Sequence, residues 1–181
     1  MFNILQRGQN LKMRFLLTLI IAMFMASTVV AQHQLRTGTQ APDFAAESLD
    51  GKYYTLSQLQ GKVVILTFWS TRCQICHSEI PKLNRVADRY QGQDVVFLAL
   101  TMENNAKIEP YLRKNPFTFS VIPNSFGVVL KYADTDKSGN IDMGFPAHYV
   151  IDKHGALVQR ADGWDKAADL DARISKLLAS D

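Results

Sequence analysis

The 181-residue chain is 47% apolar with a net charge of +3, too apolar for a disordered chain and enough for one folded domain with an appendage. The basic excess is local: Arg7, Lys12 and Arg14 are the charged residues before position 36, and past them 17 basic residues balance 17 acidic ones. A neutral body gives no electrostatic footprint for nucleic acid.

The three cations lead into FLLTLIIAMFMASTVVA, residues 15–31, which carries no charge and ends in small residues. That anatomy describes a secretory leader, and the apolar stretch is at the short end of what spans a bilayer. Residues 1–31 are therefore expected to form a signal peptide or an N-terminal membrane anchor, with residues 32–181 as the exported body. Such a body would meet an oxidising compartment, and its membrane contact would run through the N-terminal segment alone.

Pro42 opens the folded part. Asp50-Gly51 signals a turn ahead of a short β-prone stretch at 53–56. KVVILTFWS contains a continuous apolar, β-branched run at 63–69, the pattern of a strand covered on both faces. A helix follows, with Ile80, Leu83, Val86 and Ala87 on one face, Pro81 expected to kink it and Gly92 to stop it. Residues 94–101 read as a second buried strand, and strand–helix–strand predicts a βαβ unit with parallel strands. Helices are expected at 105–114 and 124–132. A hairpin should join AHYVID, 147–152, to ALVQRAD through Lys153-His154-Gly155, and a last helix spans 165–179.

Cys73 and Cys76 are the chain's two cysteines, three apart, in CQICHS. So close a pair closes almost no loop and would stabilise little as a staple, so its use is chemical. Read as C-x-x-C-H with His77, the stretch spells a c-type haem site; read as C-x-x-C, a redox dithiol. Haem would also need a distal ligand, and nothing singles out Met102 or Met143. Zinc is weaker still, because His77, His148 and His154 supply no second pair at ligand spacing. The βαβ context favours the dithiol, with Cys73 at the first turn of a helix where unpaired amides and the helix dipole favour a thiolate. Cys73 would be the nucleophile and Cys76 the buried resolving partner. His77 is expected on the exposed face of the first turn, close enough to influence the thiols.

APDF at 41–44, LDGK at 49–52, GKVV at 61–64, FW at 68–69, the C-x-x-C, E-x-P at 79–81 and the later FPAHYVIDKHG resemble the TlpA/ResA type of thiol–disulfide oxidoreductase. The resemblance covers about residues 38–179. It implies a thioredoxin-like α/β fold, with a central mixed sheet flanked by helices and an N-terminal extension. It implies a cis-proline at Pro146 against the dithiol, with Phe145 lining the substrate groove and Trp69 packing beneath. Glu79 matches an acidic residue that would transfer a proton or tune the thiols; the alternative is a solvated helix residue. The redox group would be the Cys73–Cys76 disulfide itself, without a bound cofactor. Partners would be disulfide-containing proteins and an upstream electron donor.

The departures matter too. The family often has Trp before the first cysteine, where this chain has Arg72, giving a charged rim. Thr67 stands where thioredoxin has an acidic residue, six before Cys73, so a buried carboxylate is not expected from that position. Residues 134–142, DTDKSGNID, place Asp134, Asp136, Ser138, Asn140 and Asp142 at calcium-loop spacing around Gly139. The twelfth position, however, is Phe145 rather than Glu, and a solvated polar loop is the competing reading.

The activity expected is exchange with partner disulfides, in the reducing direction by analogy with cytochrome c maturation. Three alternatives stand beside it. One is a peroxiredoxin-like peroxidase, which would expect proline at Leu66 and finds a compatible Ser70. The others are a haem carrier and a non-catalytic binding module.

Overall fold

The computed structural model describes residues 35–163 and 169–180. The expected leader at 1–31 lies outside them. Among the described residues no helix is long and apolar enough to cross a membrane.

The organising element is β3 (Val63–Phe68), six residues all buried. Its β-branched, two-faced apolar sequence suits the middle of a sheet, and it takes that place in the order β5-β4-β3-β8-β9. On one side it pairs parallel with β4 (Val95–Leu100), from Val63↔Val95 to Phe68↔Leu100. On the other it pairs antiparallel with β8 (Ala147–Ile151), from Val64↔Ile151 to Phe68↔Ala147. β5 (Ser120–Ile122) extends the parallel side, and β9 (Leu157–Asp162) closes the β8 hairpin. The result is a mixed sheet in which α1 (Gln74–Arg89) makes the crossover from β3 to β4.

Alternation along the strands divides the core between two faces. Val63, Ile65 and Val150 meet Leu83, Val86 and Ala87 of α1 and Leu170 and Ile174 of α4 (Leu170–Ala179). Val64, Leu66, Phe68, Tyr149 and Ile151 meet Val128, Val129 and Tyr132 of α3 (Phe126–Tyr132). A third cluster joins Trp69, Cys76, Ala99 and Val121 to Ile108 of α2 (Asn105–Leu112).

The N-terminal part of the body is a hairpin of β1 (Ala45–Glu47) and β2 (Tyr53–Thr55), followed by a single 3-10 turn at Leu56–Leu59. Its turn needs Gly51, which has φ +78°, a conformation that a side chain disfavours. Ahead of it, residues 38–41 fasten to the β8–β9 turn: Gly38 N donates to Leu157 O at 2.7 Å and Ala41 N to Gly155 O at 2.9 Å.

Three local features differ from expectation. β5 has three residues between Pro116 and Pro123, too short for a periodic signal, and exists because Leu98–Leu100 offer it an edge. α3 starts at Phe126 rather than 124, because Asn124 has φ +53°, outside the helical region. Residues 134–142 carry their own small hairpin, β6 (Asp134–Thr135) with β7 (Ile141–Asp142). The expected start of α4 near 165 falls in residues not described.

Candidate active site

Where β3 ends, the first cysteine starts the helix. Cys73 is the N-cap of α1, extended at φ −85° and ψ 102°, and its Sγ accepts the Cys76 N–H at 3.1 Å. An N-cap is usually Ser, Thr, Asp or Asn, whose oxygen satisfies an orphan amide of the first turn. Here sulfur takes that role, in the place where amides and helix dipole favour a thiolate over a thiol. The two sulfurs are joined in a disulfide. Cys73 is partly exposed and Cys76 is buried, so one sulfur is reachable from solvent and the other chiefly by its neighbour.

The turn before Cys73 is held from two sides. Glu103, in the loop after β4, accepts from Thr71 N at 2.7 Å and from Thr71 Oγ1 at 2.8 Å. The same carboxylate pairs with Lys107 of α2 at 2.7 Å. Burial alone would raise the Glu103 carboxyl, but Lys107 and Thr71 outweigh burial and hold it below its ordinary value. From the opposite side His77 Nε2 donates to Thr71 O at 3.1 Å, with its ring 4.8 Å from that of Tyr111. His77 is exposed, as expected for the first turn.

Trp69 is buried in the cluster that contains Cys76, its ring 5.4 Å from Tyr111 and 5.1 Å from Phe117. Its Nε1 and the Tyr111 hydroxyl are buried without a hydrogen-bond partner in the protein. Burial, with a smaller contribution from Glu103, pushes the Tyr111 hydroxyl up to about 12.

Glu79 lies one helical turn beyond Cys76 and is only 1% exposed, so the solvated-residue reading does not hold. Its Oε2 accepts from His148 Nε2 at 3.0 Å, and His148 Nδ1 is 3.1 Å from Thr67 Oγ1. Thr67 and His148 are register partners on β3 and β8, so both side chains rise from the same face of the sheet toward α1. A carboxylate taken out of water costs several kcal/mol unless paired. One oxygen of Glu79 is paired. The other, Oε1, is buried and has no partner.

Of the other residues singled out in the sequence, Phe145 packs against the Trp69–Cys76 cluster, as does Cys73. The Phe145–Pro146 bond is cis and Pro146 is buried. Arg72 is exposed at the rim. Residues 134–142 form a tight turn in which Asp136 Oδ1 accepts from Ser138 N at 2.8 Å and Asn140 N at 2.9 Å. Asp134 is turned instead to Arg160, at 2.7 Å. Among the described residues no three His, Cys, Asp or Glu side chains gather as a metal cluster.

From the sequence His148 enters only among the candidate zinc ligands, and Glu103 does not stand out. His148 did carry a signal: an imidazole inside the apolar run AHYVI must be buried and so must find a partner. Glu103 carried none, because its partner Thr71 is 32 residues away across a loop.

A sheet of this order with a C-x-x-C at the N-terminus of the helix after its central strand defines a thioredoxin-like dithiol protein. The sequence model of the AhpC/TSA family matches residues 37–160, and the chain belongs to that family. It is 27% identical over 147 residues to thiol-disulfide oxidoreductase ResA of Bacillus thuringiensis subsp. konkukian, covering 81% of each chain. It is 26% identical over 179 residues to ResA of Geobacillus thermodenitrificans, covering 96% of this chain and 99% of that one. The crystal structure of a thiol:disulfide interchange protein from Chlorobium tepidum superimposes with a TM-score of 0.67 at 25% identity, covering 81% and 99%. The chain is a ResA/TlpA-type thiol–disulfide oxidoreductase.

Proposed function

We propose that the protein works outside the cytoplasm and in the reducing direction, delivering electrons to disulfides of partner proteins as in cytochrome c maturation or a related reduction. The observation that carries the roles of the two cysteines is the Cys73 sulfur at the cap of α1, accepting an amide hydrogen bond while partly exposed, with Cys76 buried behind it.

In the reduced protein the Cys73 thiolate attacks one sulfur of a partner disulfide. The partner's S–S bond breaks, its other sulfur leaves as a thiolate and takes up a proton, and a mixed disulfide forms through Cys73. Cys76 then loses its proton and attacks Cys73. The mixed disulfide breaks, the Cys73–Cys76 bond forms, and the second partner thiol leaves. Two electrons have passed to the partner, and an upstream dithiol donor restores the starting state by the reverse chemistry. Glu79, one turn from Cys76 and buried with it, is the group placed to take the Cys76 proton. Phe145 and Arg72 border the exposed sulfur and bias which partners dock there. Residues 15–31 provide the export signal or anchor.

The reducing direction rests on likeness to ResA-type relatives; for a two-electron couple about 30 mV is worth about 1.4 kcal/mol, so small changes beside the dithiol decide it. The test is a Cys76→Ser variant expressed with its leader. It should accumulate mixed disulfides through Cys73 with exported proteins, which mass spectrometry would identify. No adduct, or adducts with cytoplasmic proteins alone, would overturn the proposal.

A further inference from the structure

The buried pair formed by Glu79 and His148 has more hydrogen-bonding capacity than a structural pair needs. Glu79 Oε2 is bonded to His148 Nε2, while Oε1 is buried without a partner. Helical side chains lean toward the N-terminus of their helix, which for Glu79 is the turn that carries Cys76, three residues earlier. Beyond the imidazole stands Thr67, whose hydroxyl can either donate to Nδ1 or accept from it. The imidazole is therefore held at both ring nitrogens, Nε2 by Glu79 and Nδ1 by the Thr67 hydroxyl. No second charge intrudes by register: the cross-strand neighbours of His148 are Thr67 on β3 and Ala161 on β9, neither titratable. From α1 the pair includes Glu79 itself, and in the reduced protein the Cys76 thiol lies one turn before it.

We propose that His148 is a positioning residue for the resolving step. Anchored by Thr67, it donates Nε2–H to Glu79 Oε2 and so holds Oε1 as proton acceptor for Cys76. When Cys76–H passes its proton to the pair, a thiolate forms beside a pair whose charge has risen by one unit. The net charge of the buried site does not change, and no proton need cross the protein before the sulfur attacks Cys73. This inference rests on the dithiol reading and on Glu79 as the proton acceptor.

The test separates the two cysteines in time. Reduced protein mixed with dithionitrobenzoate, an aromatic disulfide, should release one coloured thiolate as Cys73 is captured and a second as Cys76 resolves the adduct. His148→Gln cannot bridge Thr67 and Glu79 from two ring nitrogens as the imidazole does, so the carboxylate loses its fixed donor. The variant should leave the first release unchanged and slow the second at least about tenfold at neutral pH, with recovery in alkali, where solvent deprotonates Cys76 directly. Combining it with Glu79→Gln should produce no further slowing beyond Glu79→Gln alone, because His148 acts through that carboxylate. A second release unchanged by His148→Gln at all pH values, or an additive loss in the double variant, would overturn the inference. Failure of the first release in the wild type would instead refute the dithiol reading.

A measurement without substitutions guards against a variant that does not fold. Nitrogen NMR of the imidazole and carboxylate infrared bands of wild-type reduced protein should change along the same pH curve as Cys76 thiolate absorbance. Spectra of the pair that stay constant through that curve would remove His148 from the resolving step.

Discussion

The two faces of the central sheet are built from the same strands but treat their polar atoms differently. On the face toward α3, Phe68, Tyr132 and Tyr149 stack with ring centroids 5.3–5.7 Å apart. Their hydroxyls are spoken for: Tyr149 donates to Tyr132 O and Tyr132 to Pro42 O, each at 2.8 Å. On the face toward α1, at the dithiol end, Trp69 Nε1 and Glu79 Oε1 are buried and unpaired. Proteins seldom leave buried polar atoms unmatched, so each asks for an explanation. Beside the tyrosines Asp134 Oδ1 is also unpaired, but its other oxygen is held by Arg160. At the dithiol end Trp69 shares its cluster with Cys76, and Glu79 stands one turn further along the same helix.

The sharpest way to separate the faces is to remove the reacting sulfur. Cys73→Ser should lower disulfide exchange by at least about three orders of magnitude, assayed by reduction of a model disulfide protein, and leave the α3 face intact by near-ultraviolet dichroism. Leu66→Ala should do the reverse. It empties a fully buried position on the α3 face and should cost about 2–5 kcal/mol in urea unfolding, with exchange per folded molecule preserved.

A smaller effect is expected at Glu103. Its carboxyl lies below its ordinary value in the folded protein, so its contribution to stability is present above the unfolded value of 4.5 and is lost as pH falls below it. Glu103→Gln should flatten that part of the acid-unfolding curve and, by loosening Thr71, slow capture by Cys73 a few-fold. The smallest effect concerns the loop at 134–142. With Asp134 on Arg160 and Asp136 on its own loop amides, added calcium should shift the melting temperature by less than about 1 °C. A larger rise would mean that the carboxylates regroup around the ion.

How much of this was legible depended on distance along the chain. β3 and α1 announced themselves through local pattern, and the Cys73 cap followed from a strand running into a helix. The pairing of Glu79 with His148 spans 69 residues and exists only because the register sets His148 opposite Thr67. A single sequence contains both residues but not that register. The calcium-like spacing is ambiguous for a related reason: Asp, Ser, Gly and Asn are also what a tight turn needs, and Asp136 serves the turn. Thr67 taught the opposite lesson. That strand position carries no carboxylate, and a buried one, Glu79, stands on the neighbouring helix.

The docking of residues 38–41 on the β8–β9 turn fixes where the chain enters the body. Phe68 and Ala147 mark one pole of the sheet, beside the sulfurs; Val64 and Ile151 lead to the other, where this segment is fastened. Within the body, the point where the chain enters the sheet and the dithiol therefore lie at opposite ends of the same strands.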